Sequence, residues 1–279
     1  MTDLPDAAPG PRPGAAVKIV ARGAQKRFPT RRGLVTAVEA VDLEVAEGEF
    51  VCVVGPSGCG KSTFLRILAG LDHVTSGEAR IVPGPDPTQP LNAVVFQEYA
   101  IFPWKTVLAN VAFGPQMRGV PKRDREALAR RWLVKVGLER FEDYYPAQLS
   151  GGMKQRVSIA RALAYDPQVL LMDEPLGALD AQTRAVLQEE LLRLWEETRK
   201  TVVYVTHSIE EAVLLGDRVV VMTAHPGTVK TEFRVDLPRP RDLTTTSTPE
   251  FAALTGAVWE ALRDEVRAAM AQGETEVAA

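Results

Sequence analysis

Eight consecutive residues carry the densest chemistry in the chain. Gly55-Pro56-Ser57-Gly58-Cys59-Gly60-Lys61-Ser62 fits G-x-x-x-x-G-K-[ST] at every fixed position. Glycines tolerate the dihedrals that let successive backbone N–H groups converge on phosphate oxygens. A helix opening directly behind such a loop adds partial positive charge at its N-terminus. Lys61 brings a point charge to β- and γ-phosphates, and the Ser62 hydroxyl brings an oxygen for Mg²⁺. Cys59 sits at a variable position and is given no chemistry of its own. The stretch from Gly55 to Thr63 is therefore read as a nucleotide-phosphate site. A second acidic site ends the apolar run Val169-Leu170-Leu171-Met172 in Asp173-Glu174. Asp173 is placed to hold Mg²⁺, directly or through water, opposite Ser62. Glu174 then points at the γ-phosphate, where it orients or deprotonates an attacking water.

These groups need elements to hold them. Phe50–Val54 is a short valine-rich run, as expected of a buried parallel strand, and it leads through the glycine loop into a helix over Lys61–Leu71. Val17–Ala21 and Val35–Val45 read as extended. Further strands are expected at Val169–Met172, Thr201–Thr206 and Arg218–Met222, with helical spacing over Lys122–Val136. Arg184–Thr198 is amphipathic and turns Leu187, Leu191, Leu194 and Trp195 toward a core. Strands alternating with helices predict an α/β fold with a mainly parallel sheet. Residues 1–16 are expected to form a disordered tail and 17–235 the main domain, with a helical part at about 98–165. Residues 236–279 read as a linker, Pro/Thr/Asp-rich over 237–249, and a terminal helix over Phe251–Met270. The cluster Lys26-Arg27 and Arg31-Arg32 reads as a solvated hairpin.

Composition narrows the classes. The 279 residues hold 33 Lys+Arg against 36 Asp+Glu, a formal net charge of −3. A dedicated nucleic-acid binder is usually basic, so no nucleic-acid partner is expected. Cys52 and Cys59 are too few for a disulfide framework and read as reduced thiols. No apolar run approaches the ~18 residues of a membrane span. The opening MTDLPDAAPGPRPGAA puts acids and prolines where a signal peptide is apolar. Any membrane role is thus expected to be peripheral.

Leu149-Ser150-Gly151-Gly152-Met153-Lys154-Gln155-Arg156, just ahead of the second acidic site, resembles the signature motif of ATP-binding cassette (ABC) ATPases. The rest of that family's order follows. Gln97 resembles the Q-loop glutamine, Gly177-Ala178-Leu179-Asp180 the D-loop, and His207 the switch histidine. Phe28 stands where the family places an aromatic that stacks on adenine. The resemblance spans about residues 17–235. It implies a P-loop NTPase (RecA-like) core, an N-terminal antiparallel β subdomain and a helical signature subdomain. It also implies ATP and Mg²⁺, with Ser62, Gln97 and Asp173 on the metal and Glu174, His207 and Gln97 in catalysis. Two chains would pack head to tail, Ser150, Gly151 and Gly152 of one facing the phosphate loop of the other, with Asp180 contacting across the dimer. On residue chemistry alone, Ser150 and two glycines at a helix start already form an anion site. Plainer readings stand beside these: a core phenylalanine for Phe28, a helix N-cap for Asp180, a core-edge amide for Gln97 and a structural imidazole for His207.

Ala100-Ile101-Phe102-Pro103-Trp104-Lys105-Thr106-Val107 resembles the nitrate/sulfonate/taurine group of bacterial importers, as does Ala224-His225-Pro226-Gly227-Thr228-Val229. Relatives in that group carry bicarbonate, cyanate or pyrimidine precursors of thiamine. The 72 residues after His207 (208–279) are too few for the regulatory barrel of longer sugar-type ATPases. The expected function is the ATP-hydrolysing subunit of an importer for a small solute, an anion such as sulfonate, taurine or nitrate. A pyrimidine-type solute is the alternative, followed by a soluble non-transport cassette ATPase. The implied partners are a second copy, two transmembrane permease subunits and, indirectly, an extracytoplasmic solute-binding protein. The implied location is the cytoplasmic face of the inner membrane.

Overall fold

The structure is a computed structural model and describes Gly10, residues 15–30 and residues 33–277, with side chains as far as Ala271. In chain order the elements are β1 (Val17–Thr30), β2 (Gly33–Ala46), β3 (Phe50–Val54), α1 (Lys61–Leu68), β4 (Ser76–Ile81), β5 (Asn92–Val95), α2 (Val107–Val111), α3 (Phe113–Met117), α4 (Lys122–Lys135), α5 (Gly151–Ala164), β6 (Val169–Asp173), α6 (Ala181–Thr198), β7 (Thr201–Val205), α7 (Ile209–Leu215), β8 (Arg218–Met222), β9 (Val229–Arg234) and α8 (Pro249–Val277). The chain forms two compact units, one from residues 1–82 with 201–279, the other from residues 83–200. The expected tail falls mostly outside the described residues, and so does the Arg31-Arg32 half of the basic hairpin.

In the first unit β1 lies antiparallel between β2 and β4. Separately, β3 pairs in parallel with β7 and β8, and β9 closes antiparallel on β8. Every residue of β3, β7 and β8 is buried. Strands covered on both faces read as continuous valine runs, which is why they stand out in the sequence. Helix α1 stops at Leu68, short of the expected Leu71. Gly70 N–H donates to the Ile67 carbonyl and Leu71 N–H to the Arg66 carbonyl, and Gly70 has φ +71°. That is a Schellman stop, so the last residues of the expected helix belong to its cap.

Arg218, fully buried at the start of β8, ties the two sheets of this unit. It is ion-paired with Glu49 and Glu232, each at 3.0 Å, and donates to the Glu44 carbonyl on β2. Burial raises the Glu49 carboxyl above its ordinary value, and the Arg218 guanidinium offsets part of that rise. The stretch 237–249 contains a 3₁₀ turn at Leu243–Ser247 and the buried Arg241. The Arg241 guanidinium donates to the carbonyls of Val213, Leu214 and Gly216 at the end of α7, and to those of Val235 and Leu237. The stretch is thereby anchored rather than loose. Helix α8 runs longer than expected and packs on α7 and β8, burying Phe251, Val258 and Leu262.

In the second unit β5 and β6 pair in parallel. Helices α2, α3 and α4 pack around α5, and α6 packs against it as well. Leu187, Leu191, Leu194 and Trp195 of α6 are all buried, as their spacing predicts. Among the described residues no helix is long and apolar enough to cross a membrane.

Candidate functional site

Each unit holds its own set of candidate groups. In the first, β3 ends at Val54 and α1 begins at Lys61, so the glycine loop spans the strand-to-helix turn. Gly60 has φ +98°, and a Cβ there would stand 2.4 Å from the Ala37 carbonyl oxygen. Only glycine fits that place. Lys61 is 5% exposed. Its Nζ donates to the carbonyls of Gly55 (2.8 Å) and Pro56 (2.9 Å), with the Cys59 Sγ at 3.9 Å. Burial raises the Cys59 thiol, an effect Lys61 only partly offsets, so all three partners are neutral at pH 7. A buried ammonium among neutral groups is poorly compensated, and an anion is the missing partner. The first turn of α1 has no side-chain cap and no acid, so no side chain there answers the partial positive charge of the helix start. Ser62 and Thr63 are half-buried in that turn. The loop thus fits a nucleotide's phosphates.

His207 is exposed just beyond β7. The preceding Thr206 is buried and donates to the Glu211 carboxylate on α7, and Ser208 caps α7. Phe28 is 37% exposed on β1, with the Lys26 ammonium 4.9 Å from its ring centroid. It is therefore not a core phenylalanine. Lys26 is not solvated, contrary to expectation: it pairs with Asp72 and donates to the His73 carbonyl at 2.9 Å.

In the second unit Asp173 is the buried last residue of β6. Glu174 follows with φ +45°, left-handed for a residue with a side chain. Such strain costs about 1–3 kcal/mol and concentrates at functional positions. A Cβ on Gly177 would lie 3.7 Å from both the Gln97 Nε2 and the Glu174 Oε2. The amide and the carboxylate thus both approach Gly177, a link no local spacing reveals. Ser150 caps α5, its Oγ accepting from the Met153 N–H at 3.3 Å. A Cβ on Gly152 would meet Thr183 of α6 at 2.6 Å. This glycine therefore lets α5 and α6 approach, a packing duty the sequence reading did not foresee. Asp180 caps α6, accepting from the Thr183 N–H at 3.0 Å. Hydrogen bonds from Thr183 hold its carboxyl below the ordinary value.

Close by in the same unit, Trp104 is 71% exposed and its ring lies 5.6 Å from that of Phe102. The buried Asn110 clasps this loop. It accepts from the Phe102 N–H and donates to the carbonyls of Phe102, Lys105 and Thr106. Sequence reasoning missed Asn110, because an asparagine in an apolar helix carries no motif. A groove of about 350 Å³ beside it is lined by Phe96, Phe102, Phe113, Met117, Arg161 and Tyr165, among others. Among the described residues no three His, Cys, Asp or Glu are grouped to hold a metal alone.

Residues 38–177 match the family model described as ABC transporter. The ABC transporter ATP-binding protein MJ0412 of Methanocaldococcus jannaschii is 51% identical over 254 residues, 90% of this chain and 93% of that protein. The nitrate import ATP-binding protein NrtD of Synechocystis is 46% identical over 76% of this chain and 80% of its own length. The taurine import ATP-binding protein TauB of Roseobacter denitrificans is 49% identical over 72% and 75%. Among solved structures, the dimeric bacterial ABC transporter cassette MJ0796 superposes with a TM-score of 0.69 at 36% identity, covering 79% of this chain and all of that one.

Proposed function

The chain belongs to the ABC transporter family, and from that premise we infer that it is the ATP-hydrolysing subunit of an importer for a small anion. The observation that carries the reading is the buried Lys61 ammonium, held by neutral loop carbonyls at the head of α1 and lacking a counter-charge among the described residues. The nitrate and taurine relatives favour an oxyanion or sulfonate as the solute.

The chain's own residues divide the work. The loop from Gly55 to Thr63 and the N–H groups of α1 bind the β- and γ-phosphates, with Lys61 opposing their charge. Phe28, partly exposed beside Lys26, stacks on the adenine. Ser62, Gln97 and Asp173 would hold a magnesium ion, which would neutralise charge on the phosphates. Glu174 takes the proton of the attacking water, and Gln97, which approaches the same glycine, helps to orient that water. His207 contacts the γ-phosphate. Ser150, Gly151 and Gly152 present the open end of α5 to the nucleotide of a second copy, with Asp180 at the same interface. The groove and ring surface around Phe102 and Trp104 take the permease. An extracytoplasmic binding protein delivers the solute, and the subunit works at the cytoplasmic face of the membrane.

Glu174→Gln tests this directly. Turnover should fall on the order of 10²–10⁴-fold, the usual share of a general base. ATP binding should persist, and a two-chain species should accumulate with ATP on size exclusion. Turnover at the wild-type rate would remove Glu174 from its assigned role.

A further inference from the structure

One carboxylate ties the terminal helix to the turn that abuts the phosphate loop. Glu265 on α8 accepts from the Ala224 N–H at 2.8 Å and from the Lys230 ammonium at 2.7 Å. Partial burial alone would raise this carboxyl. The Lys230 and Ala224 donors outweigh that and hold it below its ordinary value, hence ionised. Ala224 lies in the turn 223–228, which joins β8 to β9, and Lys230 follows it on β9. The turn closes on itself: Thr223 N–H donates to the Thr228 carbonyl, Thr228 N–H to the Thr223 Oγ1, and the Thr223 hydroxyl to the Pro226 carbonyl.

That turn is pressed against the glycine loop. Gly227 N–H donates to the Ala37 carbonyl at 3.2 Å, and the Gly227 carbonyl accepts from the Glu39 N–H at 2.8 Å. A Cβ on Gly227 would lie 1.8 Å from the Cys59 carbonyl oxygen, so the two backbones touch. On the same side, Gly60 abuts the Ala37 carbonyl. The glycine loop is thus wedged by Ala37 of β2 and by Gly227 of the turn. Glycine loops have little stiffness of their own, because the residue that permits the fold also permits its relaxation. Their anion affinity depends on N–H groups held in place beforehand.

We propose that Glu265 is a positioning residue for the phosphate loop, acting through Ala224 and the turn 223–228 to keep the loop's N–H groups converged on the nucleotide. It touches no substrate. This rests on the reading of Gly55–Thr63 as the ATP site. The contact with Cys59 is made by backbone, so the effect passes through the turn's position and not through the thiol.

The test measures the affinity of the full-length chain for a fluorescent ATP analogue, alongside its melting temperature without nucleotide. Glu265→Ala should weaken affinity by about fivefold to tenfold in protein that is still folded. Glu265→Gln retains an oxygen for the Ala224 N–H and should recover most of the affinity, although it loses the charge facing Lys230. A helix that merely steadies its unit would lower the melting temperature in Glu265→Ala and leave affinity unchanged, and that result would overturn the proposal. Equal loss in Glu265→Gln and Glu265→Ala would also overturn it, since the Ala224 bond would then not matter. Should Glu265→Ala fail to fold, Glu265→Asp, which draws the carboxylate back by one methylene, is judged by the same criteria. Lys61→Met is measured in parallel. Wild-type binding that Lys61→Met abolishes upholds the ATP site on its own. Failure of the wild type to bind would overturn that site and the positioning role with it, whereas wild-type binding with unaltered Glu265→Ala overturns the positioning role alone.

Discussion

Lys61 and Arg218 are both buried cations, and their surroundings assign them opposite duties. Arg218 has two carboxylates and a carbonyl around it, so its charge is answered inside the chain. Among the described residues, Lys61 has only carbonyls and a neutral thiol. Removing Arg218 leaves Glu49 and Glu232 buried with their counter-charge gone, a change that costs about 3–5 kcal/mol. Removing Lys61 instead relieves a burden, because an uncompensated buried charge opposes folding. Thermal melts with and without ATP should therefore separate the two. Lys61→Met should melt at or above the wild-type temperature and lose the stabilisation that ATP confers on the wild type. Arg218→Met should melt far below the wild type in either condition. A large drop in the nucleotide-free melting temperature of Lys61→Met would mean that its ammonium is structural. Gln97 and Glu174 teach a related lesson. Each is an ordinary polar residue at a strand end, and only their shared approach to Gly177, eighty residues from Gln97 in the chain, marks them as a pair.

Among elements, legibility in the sequence follows burial. Strands β3, β6, β7 and β8 are buried along their whole length, and their apolar runs announce them. Strands β4 (Ser-Gly-Glu-Ala-Arg-Ile) and β9 (Val-Lys-Thr-Glu-Phe-Arg) lie at sheet edges and carry polar, half-exposed residues, so no period betrays them. The glycine loop is legible because a phosphate site is built from one short run of backbone. The anchoring of 237–249 is not, because proline and threonine signal a break whether or not the break is tied down. Arg241 does the tying. Its guanidinium meets the carbonyls at the end of α7, where the helix presents partial negative charge and unpaired oxygens. Arg241→Met should remove those bonds and leave several carbonyls buried and unpaired, at a cost of about 3 kcal/mol. The urea midpoint of the first unfolding transition reads the loss. Arg241→Lys should restore only part of it, since an ammonium has no planar fork to span five acceptors. Full recovery by lysine would show that charge alone, and not the fork, holds the segment.

At the scale of the whole molecule, the proposed function gives the chain two anion-binding surfaces: the loop ahead of α1 and the capped start of α5. One nucleotide per chain, bound by both surfaces of that chain, requires no partner. Two nucleotides shared between two chains require each chain to lend its α5 end to the other, as an isologous pair with C₂ symmetry does. The dimeric cassette MJ0796 is a solved precedent for pairing at 36% identity. Two single variants distinguish the cases. Lys61→Met disables the loop. Ser150→Asp keeps a good cap on α5 and sets a negative charge against any phosphate there. Each variant alone should hydrolyse little ATP, because every site it can form lacks one surface. Mixed in equal amounts, half of the pairs contain one chain of each kind. In such a pair, one site combines the intact loop of the Ser150→Asp chain with the intact α5 end of the Lys61→Met chain. If the two sites of a pair act independently, the mixture should regain about a quarter of the wild-type rate. If both sites must fire together, recovery falls below that, but ATP should still bind at the single intact site and slow the separation of the pair on dilution. A mixture no better than the sum of its parts in both rate and pairing would mean that each chain closes on its own nucleotide, and Ser150 would then be an N-cap and nothing more.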